Sequence, residues 1–331
     1  MTKPWLFLPP LWAHALSPLA LRILHHITPP QNISWHALKW KNLFFPNPLG
    51  ISGGIDKNAI NVLDWQHLGA GFIEVGTVTP KPQPPNPGPI LLRDTQHMAL
   101  WNRMGFPSKG LFFVKKKLQR IKPQLKIPLF INIGKNRTTP IEEAHQDYHL
   151  CIKELHALAD AFVINISSPN TPGLRTLFHP DRLPNFLNSI CHTQPSSSFL
   201  LKLSPDLSQK ELLTTLEIAV EAKIDGFIFS NTTLSRPLEG LPQEGGLSGK
   251  PLAPLSKQQL LWAKTFLKSF PEKLIISSGG ILSAEDIQER LSMGAHLLQV
   301  YTALVFHGPF FFRKVSQVFS QPLKKGEINA H

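Results

Sequence analysis

The chain has 331 residues, 42% of them hydrophobic and 17% charged, with a net charge of +12. Such a mixture excludes a disordered chain and describes a globular protein with a sizeable core, and α/β barrels reach this length as a single unit. The two cysteines, Cys151 and Cys191, stand in no CxxC or metal-ligand spacing, which excludes a disulfide framework and fits a reducing compartment.

A positive balance favours an anionic partner: nucleic acid, a lipid surface or a small acidic substrate. Nucleic acid is the weakest of the three and is not expected. The basic residues are scattered, the densest clusters are Lys115-Lys116-Lys117 and Lys324-Lys325, and no zinc-finger or RNA-recognition motif accompanies them.

At the N-terminus, residues 1–20 are apolar but broken by Pro4, Pro9, Pro10 and Pro18. No uninterrupted run reaches the roughly 18–20 residues that a membrane span requires. Two short amphipathic helices are expected instead, over 10–17 and 18–27, with Trp12, Leu16, Leu19, Ile23 and Leu24 on one face. Such an element lies on a bilayer surface or packs on the core, and periodicity alone favours the core. The composition changes after Pro29-Pro30, so residues 1–30 form an extension and 31–331 the main unit, with 46–48 closing a short linker or hairpin.

From Leu49 onward eight short apolar, β-rich runs appear, at 49–54, 71–78, 128–134, 161–167, 199–204, 226–232, 274–280 and 296–303. Most gaps hold segments of helical period, such as 141–159, 209–222, 254–270 and 284–293. Near-continuous apolar strands separated by helices indicate a parallel sheet buried on both faces. Eight such units without a change of pattern predict a closed (β/α)8 TIM barrel behind a short N-terminal helical extension.

The C-terminal ends of these runs carry polar or glycine clusters: Ser52-Gly53-Gly54 then Lys57, Thr77, Asn132, Asn165 with Ser167-Ser168, Lys202, Asn231-Thr232, Gly279-Gly280 and Tyr301-Thr302. In a barrel these ends converge on one mouth, where active sites lie. Unpaired lysines and amides are costly to bury there, so a polar ligand is implied. Two further stretches, the proline-loaded 79–90 leading to Arg93 and the segment 170–175, read as stiffened loops over that mouth. The loops after strands seven and eight, with a helix beginning near Ser283, mark the usual phosphate site of this architecture.

Other chemistries lack their motifs. There is no P-loop or HExxH, Ser248 in Gly246-Leu247-Ser248-Gly249 is not a nucleophile elbow, and the 14 histidines show no metal-ligand spacing, so no metal is expected.

The segment from Asn165 through Ser167-Ser168-Pro169-Asn170-Thr171-Pro172-Gly173-Leu174 to Arg175 strongly resembles the signature of the quinone-dependent dihydroorotate dehydrogenases. So do Ile73-Glu74-Val75-Gly76-Thr77-Val78-Thr79-Pro80, Asn102-Arg103-Met104-Gly105-Phe106, Asn132-Ile133-Gly134-Lys135-Asn136, Ser230-Asn231-Thr232-Thr233 and Gly245-Gly246-Leu247-Ser248-Gly249. The resemblance runs in order from about Lys41 to Gly308. It implies FMN in the barrel mouth, oxidation of dihydroorotate to orotate, and a membrane quinone as final electron acceptor. Ser168 then matches the catalytic base; Lys57, Asn102, Arg103, Met104, Gly105, Phe106, Asn165, Asn170, Asn231 and Thr232 match substrate contacts. Gly53, Gly54, Ile55, Asp56, Lys57, Thr77, Asn132, Asn165, Lys202, Ser230, Gly249, Gly279, Gly280, Tyr301 and Thr302 match cofactor contacts.

The same resemblance makes the extension a membrane-surface element framing a quinone tunnel, with His14 and Arg93 matching polar residues of its lining; a plain helix-surface role for His14 stays open. A peripheral protein on the cytoplasmic face of the cell membrane, and a monomer, are the expectations. One departure stands out: the first strand reads Ser52-Gly53-Gly54 where family members more often carry alanines.

Overall fold

Burial on both faces is what turns these strands into unbroken apolar runs, and the computed structural model shows the sheet they build. It describes residues 3–31 and 33–320; the Lys324-Lys325 pair lies outside them. The barrel strands are β1 (Leu49–Asp56), β2 (Ile73–Val78), β3 (Leu129–Ile133), β4 (Ala161–Asn165), β5 (Phe199–Lys202), β6 (Gly226–Phe229), β7 (Leu274–Ser278) and β8 (Leu297–Val300). Each pairs in parallel with the next, and β8 closes on β1 with Leu298 opposite Leu49 and Val300 opposite Ile51. The expected (β/α)8 barrel is present.

Between and after the strands run α2 (Val62–His67), α3 (Leu111–Ile121), α4 (Ala144–Leu155), α5 (Leu183–Thr193), α6 (Gln209–Glu221), α7 (Ala253–Leu267), α8 (Ala284–Ser292), α9 (Thr302–His307) and α10 (Phe311–Phe319); α1 (Pro10–Ile27) precedes the barrel. Two helix starts are written in the sequence. Ser208 with Glu211, and Ser283 with Asp286, form reciprocal capping boxes at α6 and α8. Several strands stop short of the apolar runs, because their polar tails turn into the loops of the mouth: the run 226–232 ends as strand at Phe229, and the run 296–303 gives way to α9 at Thr302.

Inside the barrel, side chains alternate in layers with the two-residue period of a strand. A lower apolar layer holds Phe72, Phe130, Leu200 and Leu297, sealed from below by Trp40 and Phe45 of a hairpin made of Leu38–Trp40 and Leu43–Phe45. Two residues further along the same strands stand Glu74, Asn132, Lys202 and Gln299, all buried. The floor of the mouth is therefore polar by register.

Three departures from expectation are informative. The N-terminal segment is one helix and not two: Pro18 lies inside α1. Proline cannot donate to the His14 carbonyl, which normally ends a helix; here the Ser17 hydroxyl donates to that carbonyl at 2.9 Å and the helix continues. Next, the apolar stripe of α1 does not pack on the core. Trp12 is 67% exposed and Leu19 60%, with Ile23 also outward, while Leu16 and Leu24 reach the cavity under the helix and Leu21 on the other side is buried.

The third departure is above the mouth, where loops were expected. Leu91–Asp94, Ala99–Asn102 and Gly246–Gly249 form a small antiparallel sheet joining the loop after β2 to the loop after β6. Trp101 and Leu247 pack together beneath it in a cluster of their own.

Candidate active site

The polar layer of the barrel is organised by a carboxylate. Glu74 is fully buried and accepts from Lys202 Nζ at 3.0 Å, from Asn132 Nδ2 at 2.6 Å and from the Gln299 side-chain amide. The Lys202 ammonium also donates to Ser52 Oγ at 3.3 Å. A buried lysine would be costly alone, and Glu74 supplies its counter-charge.

Above this layer a cleft opens at the mouth of the barrel. Gly53, Gly54, Lys57, Thr77, Asn165, Lys202, Ser230, Gly249, Gly279, Gly280, Tyr301 and Thr302 line it, and so do Asn102, Met104, Gly105, Phe106, Ser168, Asn170, Asn231 and Thr232. The register of β1 against β2 shifts between Ile51 and Asp56, which bulges Ser52-Gly53-Gly54 into the mouth.

The asparagines interlock. Asn170 Nδ2 donates to Asn102 Oδ1 at 2.9 Å, Asn231 Nδ2 to Ser167 Oγ at 3.0 Å, and Asn165 Nδ2 to Thr77 Oγ1 at 3.2 Å. Arg175 pins the loop after β4 by donating to the Ser167 and Thr232 carbonyls while pairing with Asp206 at 2.7 Å. The Ser168 hydroxyl oxygen accepts from the Asn170 N–H at 3.2 Å.

A second cavity lies between α1 and the barrel. His14 and Arg93 line it, together with mostly apolar side chains of α1 such as Ala13, Leu21 and Leu24. Arg93 donates to the carbonyls of Leu6 at 2.6 Å and Leu8 at 2.7 Å, tying down the chain before α1. His14 Nε2 stands 3.3 Å from Lys57 Nζ, at the boundary of the two spaces. Burial lowers the Lys57 ammonium to about 8, and the charge of Lys57, with burial behind it, lowers His14 to about 4.

The family profile described as dihydroorotate dehydrogenase matches residues 36–323. The chain belongs to the dihydroorotate dehydrogenase family. It is 38% identical to the dihydroorotate dehydrogenase (quinone) of Acidithiobacillus ferrooxidans, over 95% of this chain and 92% of the relative. With the enzyme of the same name from Coxiella burnetii it shares 39% identity over 95% and 94% of the two chains. A solved structure of the Eimeria tenella dehydrogenase, in complex with ferulenol, superposes with a TM-score of 0.86 at 32% identity, covering 94% of this chain and 90% of that one.

Dihydroorotate dehydrogenases are flavin-dependent, and the upper cavity fits such a group. Asn170 Oδ1 and Gln299 Oε1 are buried without a partner at its wall, and a planar ring rich in donors and acceptors would satisfy such atoms. Gly249, Gly279 and Gly280 also line the cavity, where no side chain keeps a bound group from the backbone.

Four expected contacts lie elsewhere. Arg103 follows Asn102 and points to the opposite side, where it pairs with Glu244 at 2.7 Å and donates to the Pro87 carbonyl. Ile55 and Asp56 face the second cavity; the Asp56 carboxylate accepts the N–H groups of Ile60 and Asn61 at 2.8 and 2.7 Å. Asn132 sits below the cavity floor, its amide given to Glu74.

Conversely, Glu74 and Gln299 are not among the contacts expected from the sequence. Their signal was a charged and an amide side chain inside runs otherwise apolar enough to be buried.

Proposed function

We propose that this dehydrogenase oxidises (S)-dihydroorotate to orotate in pyrimidine (UMP) biosynthesis, with FMN in the upper cavity and a membrane quinone in the second. The observation that carries this reading is the meeting of Lys57, Ser168 and Lys202 around one cleft at the mouth of a closed barrel. When bound, FMN supplies the acceptor for the two electrons and the hydrogen that leave C6 of the substrate.

The chain's own groups do the rest. Ser168 Oγ takes the C5 proton as the C5=C6 double bond forms and passes its own hydroxyl proton on through a water or Thr171; a hydroxyl is a weak base, so it also needs a substrate acidified by its surroundings. Lys57, held with a lowered proton affinity, donates to the substrate and makes that proton easier to remove. Asn102, Asn165, Asn170 and Asn231 offer amide donors and acceptors to a pyrimidine ring, with Thr232 beside them. The small sheet above the mouth and the loop pinned by Arg175 keep water out, which strengthens each of these contacts.

Residues 1–30 serve in this reading as the element that meets the bilayer. No helix among the described residues is long and apolar enough to cross a membrane. The outward stripe of α1, with Phe7 just before it at 80% exposed, is instead the kind of face that lies in the interface plane. Beneath that stripe, the largely apolar second cavity is suited to a quinone ring arriving from lipid. This supports a peripheral position at a membrane surface, which in this reading is the cytoplasmic face of the cell membrane.

The direct test is an absorption spectrum. The purified protein should show a flavin band that dihydroorotate bleaches without nicotinamide and that an added quinone restores. A colourless protein that cannot be reconstituted with FMN ends the reading.

A further inference from the structure

Among the buried cations of the described residues, Arg290 has no part in this reaction. Arg290, on the last turn of α8, has no solvent exposure. Its guanidinium donates only to neutral acceptors: Ser277 Oγ at 3.2 Å, Ser256 Oγ at 2.8 Å, and the carbonyls of Gly279 at 3.1 Å and Ala253 at 3.3 Å. Its Nε has no partner among the described residues. Among the described residues no carboxylate lies within 4 Å of it. Glu289 and Asp286 favour its charge from a distance, but both are engaged elsewhere: Glu289 pairs with Lys257 at 2.6 Å, and Asp286 caps α8 through the N–H groups of Leu282 and Ser283.

An unmatched buried charge is among the most costly things a fold can hold. Burial lowers Arg290 to about 10, which leaves it protonated at neutral pH. The missing counter-charge has an obvious place. Gly279 and Gly280, whose φ angles are +101° and +74°, form the turn between Arg290 and the upper cavity, and both line that cavity. In a trans peptide the carbonyl and the following N–H point in opposite directions. A Gly279 carbonyl drawn toward Arg290 and the Ser256 hydroxyl therefore sends the Gly280 N–H toward the cavity. The N–H groups of Gly280 and Ile281 have no acceptor among the described residues. Oriented backbone donors backed by a fixed cation are an anion site.

We infer that Arg290 is a positioning residue for the phosphate end of the flavin: it aims the Gly280 amide and balances the phosphate charge from behind the Gly279-Gly280 turn. Through it the protein distinguishes FMN from riboflavin by a side chain that touches neither. This rests on the reading that the phosphate lies at that turn, and the test separates the two claims.

The full-length chain is stripped of flavin and titrated with FMN and with riboflavin, following quenching of flavin fluorescence. Wild-type protein should prefer FMN; equal affinity for the two would sink the phosphate reading itself. Arg290→Gln, which keeps an N–H donor but loses the charge, should cut the FMN-over-riboflavin ratio by roughly ten- to a hundredfold, the scale of one charge-assisted interaction. A ratio unchanged while both flavins weaken together would make Arg290 a structural clip and overturn the inference. Arg290→Lys keeps the charge in the same place. It should fold and hold most of the preference, so an Arg290→Lys protein that binds riboflavin normally but has lost its preference for FMN would also overturn it.

Discussion

Lys202 Nζ and Glu74 Oε1 stand 3.0 Å apart at the centre of the barrel, both shut off from solvent. Among the described residues neither charge has another counter-ion, so each depends on the other. Glu74→Ala should lower stability by roughly 3–5 kcal/mol, the range for a buried pair broken on one side, measured by urea unfolding. Removing both charges with Glu74→Gln and Lys202→Met should cost less than the two single changes added together. Additive losses would show that the pair is not coupled.

Ser168→Ala tests the proton step. Flavin reduction by dihydroorotate should slow by about 10²- to 10⁴-fold, the usual weight of a general base, while the flavin band and its intensity stay as in the wild type. Stopped-flow bleaching of the band measures this. An unaltered rate would remove Ser168 from the chemistry.

Lys57 gives a pH prediction. Its proton affinity is lowered from 10.5 to about 8, so between those values the unfolded chain binds more protons than the folded one. Stability from this group therefore rises with pH through that window, and its penalty is fully present below about 8. Lys57→Met should stabilise the flavin-free protein at pH 7 by about 1 kcal/mol, a figure discounted because the side chain is only half-buried. The gain should shrink as pH rises past 8, and the same variant should fail to be reduced by dihydroorotate. For the wild type, kcat/KM for dihydroorotate should fall as pH rises through about 8, where Lys57 loses its proton. A gain that persists above pH 10 would place its origin elsewhere.

Arg93 tests the second cavity. Arg93→Ala frees the carbonyls of Leu6 and Leu8 and loosens the chain before α1. The KM for quinone should rise by roughly tenfold or more, as fits a lost hydrogen-bonding cation, with bleaching by dihydroorotate unaltered. Deleting residues 1–28 should abolish quinone reduction under the same control. Quinone turnover that survives the deletion would refute the role of the extension.

The barrel was legible because parallel strands covered on both faces leave apolar runs, and eight of them in sequence allow few other arrangements. Pairings between distant segments left no such trace. Asn102 meets Gly246 in the sheet above the mouth, and nothing local to either residue announces the contact. The helix α1 read as two because proline usually ends a helix; the Ser17 hydroxyl that rescues it acts through geometry and not composition. Among the site residues, Lys57, Ser168 and Lys202 were legible through the motifs around them. That Arg103 turns away from the cleft was not legible, because a motif names neighbours without saying which way each points. Glu74 was passed over because a lone acid in a strand gains meaning only from Lys202, far along the chain.

Lys57, Leu91, Leu100 and Tyr301 line both cavities, so the two chambers share a partition one side chain thick. In a two-substrate oxidation this separates the entrances while keeping the electron path short. A pyrimidine seated in one chamber leaves the other doorway clear, so neither substrate should act as a competitive inhibitor of its counterpart, and turnover can alternate between them like two strokes of one engine.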